Sequence, residues 1–227
     1  MRVIHLVLSA FLWIGLSQTG LVAQEYEVGV LIGGSNYQGD LADEVIQFGE
    51  THACYGLYIR YKETAQLSLS THISFGRLSG NDANSGLAER RARGFSFSAP
   101  FTEVGFGVEW TPFKSPYRRY GAFSATIDPY IFTGVGLTLC DPQPKAPANL
   151  QPYPFPEAGA KNFFLHVPIG IGLKYQISAQ YKLNLELGYR YVFSGYLDGV
   201  SVNGNPKNPD LYLIGGIGFS YVFGEGR

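Results

Sequence analysis

Residues 53–76 read ACYGLYIRYKETAQLSLSTHISFG, and the order of residue types in them decides the fold. Ala53, Tyr55, Leu57, Ile59 and Tyr61 fall on one face of an extended chain. His52, Cys54, Gly56, Tyr58 and Arg60 fall on the other. Beyond Lys62, Glu63 and Thr64 the alternation resumes. Leu67, Leu69, Thr71, Ile73 and Phe75 now oppose Gln66, Ser68, Ser70, His72, Ser74 and Gly76. A period of two places successive side chains on opposite faces of a strand. The stretch is therefore a hairpin of two long strands, each with one apolar and one polar face.

The same alternation recurs at 26–34, 101–110, 129–140, 163–176, 181–193 and 211–223. That makes eight strands of about 9–13 residues, where soluble strands average ~5–6 and tilted membrane-spanning ones need ~9–11. Short turns near 62–64 and 177–180 alternate with long segments at 35–50, 78–94, 141–162 and 194–210. An outer-membrane barrel shows this inequality between its periplasmic and external ends. The segment 111–126 is the exception, a turn by parity but a long one.

Composition agrees. Of 227 residues, 29 are Gly, 16 Tyr, 16 Phe and one Met, and charged residues make up only 15% against the ~25% of a soluble domain. Seventeen basic residues stand against 18 acidic ones, a formal net charge of −1. No basic stripe exists to displace phosphate counterions, which excludes nucleic acid as a partner. Residues 1–23 read as a secretory signal peptide: Met1-Arg2, an apolar run from Val3 to Leu16, and a cleavage site after Ala23. The run is too short to cross ~30 Å of hydrocarbon as a helix. The remainder, 24–227, is read as a single barrel domain.

Two barrels share this parity: a membrane barrel with its apolar face outward, and a soluble lipocalin-like barrel with that face inward. Three features favour the membrane form. The polar face carries Arg60, Glu103, Glu109, Lys174, Lys182, Glu186 and Arg190, which can pair across a narrow lumen. Aromatic residues gather at strand ends, among them Tyr55, Tyr61, Trp110, Tyr175, Tyr181, Tyr191, Tyr221 and Phe223, as interfacial girdles do. The last strand is long and apolar on one face. The expectation is an all-β, eight-stranded antiparallel transmembrane β-barrel in the outer membrane.

Gly-x-Gly pairs recur at Gly105/Gly107, Gly134/Gly136, Gly170/Gly172 and Gly216/Gly218. A nucleotide-binding reading needs a strand–turn–helix context. These pairs lie mid-strand on the lumen face, where they make room for large side chains. Pro168 suggests a bulge in its strand. No Gly-x-Ser-x-Gly nucleophile elbow occurs, and the chain is read as non-enzymatic, without cofactor or small-molecule substrate. If paired positions in the first hairpin sum to 126, Cys54 lies opposite His72. A thiolate–imidazole metal site there lacks an evident third ligand, so lumen packing is the reading and no metal is assigned.

Particular runs carry a resemblance. EYEVGVLIGGSNYQGDL (25–41), PYIFTGVGL (129–137), VPIGIGLKY (167–175), LNLELGYRYVFSGYLDGVS (183–201) and LYLIGGIGFSYVF (211–223) are similar in order and spacing to the PorG family. PorG proteins are small outer-membrane barrels of the type IX secretion system of Bacteroidetes. The resemblance implies a component that anchors or adapts the periplasmic ring of PorK and PorN for protein export. The alternative is a standalone small barrel with structural or adhesive external loops.

Two further expectations concern named residues. Cys54 begins a descending strand and Cys140 ends an ascending one, so both lie near the external rim of an oxidising compartment. An intramolecular bridge requires the Cys140 end to bend inward, which Pro142 and Pro144 permit; free buried thiols and an intermolecular bond are the other states. At the periplasmic end, only 111–126 is long enough for a standard interface of ~800 Å² per partner. Lys114, Tyr117, Arg118 and Arg119 in it are the candidate partner-binding residues, Arg and Tyr being favoured at hot spots. The same basic residues also suit anionic lipid headgroups.

Overall fold

The structure is a computed structural model and describes residues 25–39, 41–42, 46–113, 126–151, 155, 163–200 and 209–224. The signal-peptide reading over 1–23 lies outside the described residues. Nine strands are present among them: β1 (Glu25–Gln38), β2 (His52–Lys62), β3 (Leu67–Asn81), β4 (Ser96–Trp110), β5 (Ile127–Cys140), β6 (Gln143–Lys145), β7 (Phe163–Gln176), β8 (Tyr181–Val192) and β9 (Leu211–Phe223). One short α-helix, α1 (Ala88–Arg93), lies between β3 and β4.

Every barrel strand pairs antiparallel with the next, and β9 returns to β1 from Tyr26↔Phe223 to Gln38↔Leu211. Eight strands thus form a closed barrel. The three-residue β6 stands apart, paired with Ser96–Ser98 of β4. Closure removes the sheet edges and satisfies the backbone without water, as a spanning strand must.

The faces settle which barrel this is. Outward residues are apolar and open: Ile32 and Phe106 are 62% exposed and Ile169 is 60%. Inward Arg60 and Arg190 are 3% exposed, and Glu103 is fully buried. Among the described outward positions of the eight strands, the single formal charge is Arg77, at the external end of β3. An apolar belt of this extent is incompatible with water and suits hydrocarbon. The lipocalin-like alternative is thereby overturned, and the protein is a transmembrane barrel of the outer membrane.

Aromatic rings mark both rims of the belt. At the end of the short turns Tyr26 meets Tyr61 with ring centroids 5.2 Å apart, and Tyr181 meets Tyr221 at 5.3 Å. At the opposite end stand Tyr55, Phe75 and Phe163, with Tyr191 and Phe193 at 5.5 Å. Short turns identify the first rim as periplasmic and long loops the second as external.

Two local expectations are corrected. The first hairpin pairs Tyr58 with His72 and Gly56 with Ser74, so paired positions sum to 130 rather than 126. Its turn spans 63–66, where Thr64 Oγ1 accepts the N–H of Gln66 at 3.2 Å and of Leu67 at 2.9 Å. A shift of four leaves every side chain on its expected face, but Cys54 sits beside Gly33 of β1 and not opposite His72. Pro168 makes no bulge. Pairing of β5 with β7 lapses between Thr133↔Ile169 and Gly136↔His166 without a change of register.

Because the barrel closes on itself, the native protein is expected to resist carbonate extraction from membranes and to migrate differently by electrophoresis before and after boiling. Release by carbonate as a soluble species contradicts the fold.

Candidate functional site

The lumen holds two layers of charge, each built from inward positions of several strands. Arg60 of β2 centres the periplasmic layer. Its Nη1 donates to Glu27 Oε1 at 2.7 Å, its Nε to Glu109 Oε1 at 2.6 Å, and its Nη2 to Glu186 Oε2 at 3.2 Å. Lys174 donates to Glu109 at 2.5 Å, and Lys182 to Glu27 at 2.9 Å and Glu25 at 3.2 Å. Lys62 pairs with Glu25 at the rim. Tyr130 donates its hydroxyl to Glu186 at 2.8 Å, and the Arg60 guanidinium lies 4.1 Å above the Tyr58 ring. Four carboxylates (Glu25, Glu27, Glu109, Glu186) thus meet four cations (Arg60, Lys62, Lys174, Lys182).

Glu103 of β4 centres the external layer. It receives His72 Nε2 at 2.7 Å, Arg190 Nε and Nη2 each at 3.2 Å, and the Tyr212 hydroxyl at 2.5 Å. Thr138 links Tyr212, at 2.6 Å, to His166 Nδ1, at 3.0 Å. Burying an ion costs several kcal/mol unless pairing and hydrogen bonds offset it. Each of these carboxylates meets that condition.

Glycine opposite an aromatic side chain makes the crowding possible. A Cβ at Gly172 would lie 2.3 Å from the Tyr130 ring, and one at Gly136 would lie 2.3 Å from His166 Nε2. The Gly-x-Gly pairs are packing devices, as their mid-strand placement implied. The space left between the layers is a cavity of about 40 Å³ bordered by Arg60, His72, Glu109, Phe132, Glu186 and Arg190. That is room on the order of one or two water molecules. That volume is too small to hold a substrate, a cargo segment or a hydrated ion.

The external ends of the strands form a second built region. The Tyr37 hydroxyl lies 2.9 Å from both Asp198 Oδ2 and Asp210 Oδ1. Those carboxylates also accept the N–H groups of Val200 and Leu197, each at 2.9 Å. Asp82 holds Arg93 through Nε and Nη2 at 2.8 Å and the Phe95 N–H at 2.9 Å. Glu50 accepts from Ser79 and from Asn84, bringing the segment after β1 against the one after β3. Leu41, Leu78, Phe95, Phe97, Ala146, Leu197 and Val200 are buried together beneath these contacts. The segments read as loops at 35–50, 78–94 and 194–210 therefore contribute to one packed cap.

The seven lumen charges singled out in the sequence all pair as anticipated. Sequence reasoning placed His72 in the lumen but not with Glu103, and it missed Glu25, Glu27, His166 and Tyr130, although each has the parity of its strand's inward face. Cys54 and Cys140 are free thiols, both buried. Lys114, Tyr117, Arg118 and Arg119 lie outside the described residues.

Similarity to known proteins is of two kinds, to a sequence family and to solved structures. The family model described as a domain of unknown function (DUF6089) matches residues 5–227. No curated protein matches. Among solved structures, a major outer membrane protein from Thermus thermophilus is 14% identical with a TM-score of 0.48, covering 89% of this chain and 100% of that one. The outer membrane protein OprG from Pseudomonas aeruginosa is 14% identical with a TM-score of 0.47, covering 90% and 97%. Ail, the attachment invasion locus protein of Yersinia pestis, is 11% identical with a TM-score of 0.47, covering 89% and 100%.

Two measurements check the site. Glu103→Ala strands the buried Arg190 guanidinium and is expected to lower stability by about 3–5 kcal/mol in urea titration of the refolded barrel. Lys62→Ala, at the partly exposed rim pair, costs under about 1 kcal/mol. Equal effects contradict the layered reading. Alkylation of denatured protein without reductant is expected to label both cysteines; a chain that takes no label carries a Cys54–Cys140 bridge or an intermolecular one.

Proposed function

The chain belongs to the family described as a domain of unknown function, DUF6089, and within it we propose a non-conducting, non-enzymatic anchor or adaptor in the outer membrane. Its partner in this reading is the periplasmic ring of PorK and PorN, and its process is protein export by the type IX secretion system of Bacteroidetes. The observation that carries the anchor role is a lumen filled by paired side chains, with a cavity of about 40 Å³ between the two layers. A barrel with no passage contributes surfaces, not transport. The secretion role draws its support from the resemblance to PorG. Two stretches that carry it, 25–41 and 183–201, meet where Tyr37 bonds Asp198. The periplasmic docking segment is 111–126, with Lys114, Tyr117, Arg118 and Arg119 as its contacts.

The interlocked external cap favours a second reading, a standalone barrel whose external surface is structural or adhesive. Co-purification from native membranes separates the two. The anchor reading expects PorK and PorN to accompany the wild-type barrel. It expects them to be lost when Arg118→Glu, Arg119→Glu and Tyr117→Ala are combined, with the barrel still heat-modifiable. If the triple variant retains the ring proteins at wild-type yield, the docking assignment is wrong. If the wild type brings neither, the anchor reading fails and the standalone one stands.

A further inference from the structure

We propose that the outward face of β1, β2 and β3 is a binding site for an outer-leaflet lipid with a phosphate-bearing headgroup, its acyl chain in an apolar groove and its phosphate on Arg77. The groove has a volume of about 300 Å³ and is lined by Val30, Ile32, Tyr55, Leu57 and Phe75. Its walls are paired neighbours, Val30 with Leu57, Ile32 with Tyr55, and Tyr55 with Phe75. The pairing of β2 with β3 ends at Tyr55↔Phe75, so the ladder does not continue above that level. Because the groove lies within the belt that faces hydrocarbon, its occupant is an acyl chain.

The external end of the groove has a different chemistry. Arg77 follows Phe75 on the same outward face, about 7 Å further along the strand. It is exposed, and among the described residues it donates a single long hydrogen bond, 3.4 Å, to Ser98 Oγ. Glu50, an acidic residue brought to this rim, is turned away: it accepts from Ser79 and Asn84 and is itself buried. Ser79 also meets His52 Nε2 at 2.7 Å, so the polar groups above Arg77 are engaged with one another. Among the described residues no carboxylate pairs with Arg77, and an Arg so placed at the boundary between hydrocarbon and headgroups is complementary to a phosphate, which its planar fork binds through paired hydrogen bonds. Phe48, 87% exposed on the same segment as Glu50, supplies the aromatic contact that favours the interfacial layer.

Native mass spectrometry of the full chain in detergent tests this with two lipids of identical acyl chains, phosphatidic acid and diacylglycerol. The wild type is expected to retain phosphatidic acid about tenfold better, the size of one charge-assisted hydrogen bond. Arg77→Gln is expected to abolish that preference while the barrel remains heat-modifiable. Arg91→Gln, on α1, is expected to keep it. Leu57→Trp, which fills the groove, is expected to weaken both lipids alike. Equal retention of the two lipids by the wild type overturns the proposal whatever the variants do, as does an undiminished preference in Arg77→Gln. Displacement of the lipid by inorganic phosphate alone also overturns it, because the site would then read a free anion.

Discussion

A strand in hydrocarbon can place its N–H and C=O groups only on a neighbouring strand, and the pairing of β9 with β1 is what allows all eight strands to obey that constraint at once. Most other features follow from it. Closure at eight strands gives an interior just wide enough for side chains to fill. The inward residues must therefore pack on one another, and those with charge must find the opposite charge within a few ångströms. The outward residues, with only lipid to face, carry no charge until Arg77 at the external rim.

The lumen answers the packing demand with two hubs. Arg60 ties β2 to β1, β4 and β8 through Glu27, Glu109 and Glu186. Glu103 ties β4 to β3, β8 and β9 through His72, Arg190 and Tyr212. Strands distant in sequence are thus joined across the interior as well as around the wall. Removing one partner exposes the other to a dry environment, which is costly, so the layers hold a single register. Above them Tyr37, Asp198 and Asp210 repeat the device in the cap and fix the last long connection against the first strand. Side-chain bonds thus link the strands from the periplasmic rim to the cap.

How much of this was legible in the sequence depends on whether one period governed the residues. From Ala53 to Phe75 period two holds throughout, and the strands, the faces and the lumen charges follow from it. Their register did not, because the turn 63–66 is set by the Thr64 side chain bonding the N–H groups of Gln66 and Leu67, which alternation does not encode. The external ends of β1, β3 and β4 were missed for the opposite reason. Leu78, Ser79 and Gly80 are buried in succession because the cap covers both faces of β3 there, and a strand buried on both sides shows no alternation. Glu25 and Glu27 were passed over although their parity matches Gly29 and Leu31; they stand at the very start of the strand, where a rim residue and a lumen residue look alike. The cap itself depends on contacts such as Tyr37 with Asp198, 161 positions apart, which pattern within a window does not reach.

The central claim, that the barrel is filled and serves by its surfaces, is tested most directly by conductance of the purified full chain in a planar bilayer. A lumen closed by two paired charge layers is expected to give no stable current steps across a range of applied voltages. Reproducible, long-lived openings of uniform size would show a continuous aqueous path through the barrel and contradict the account.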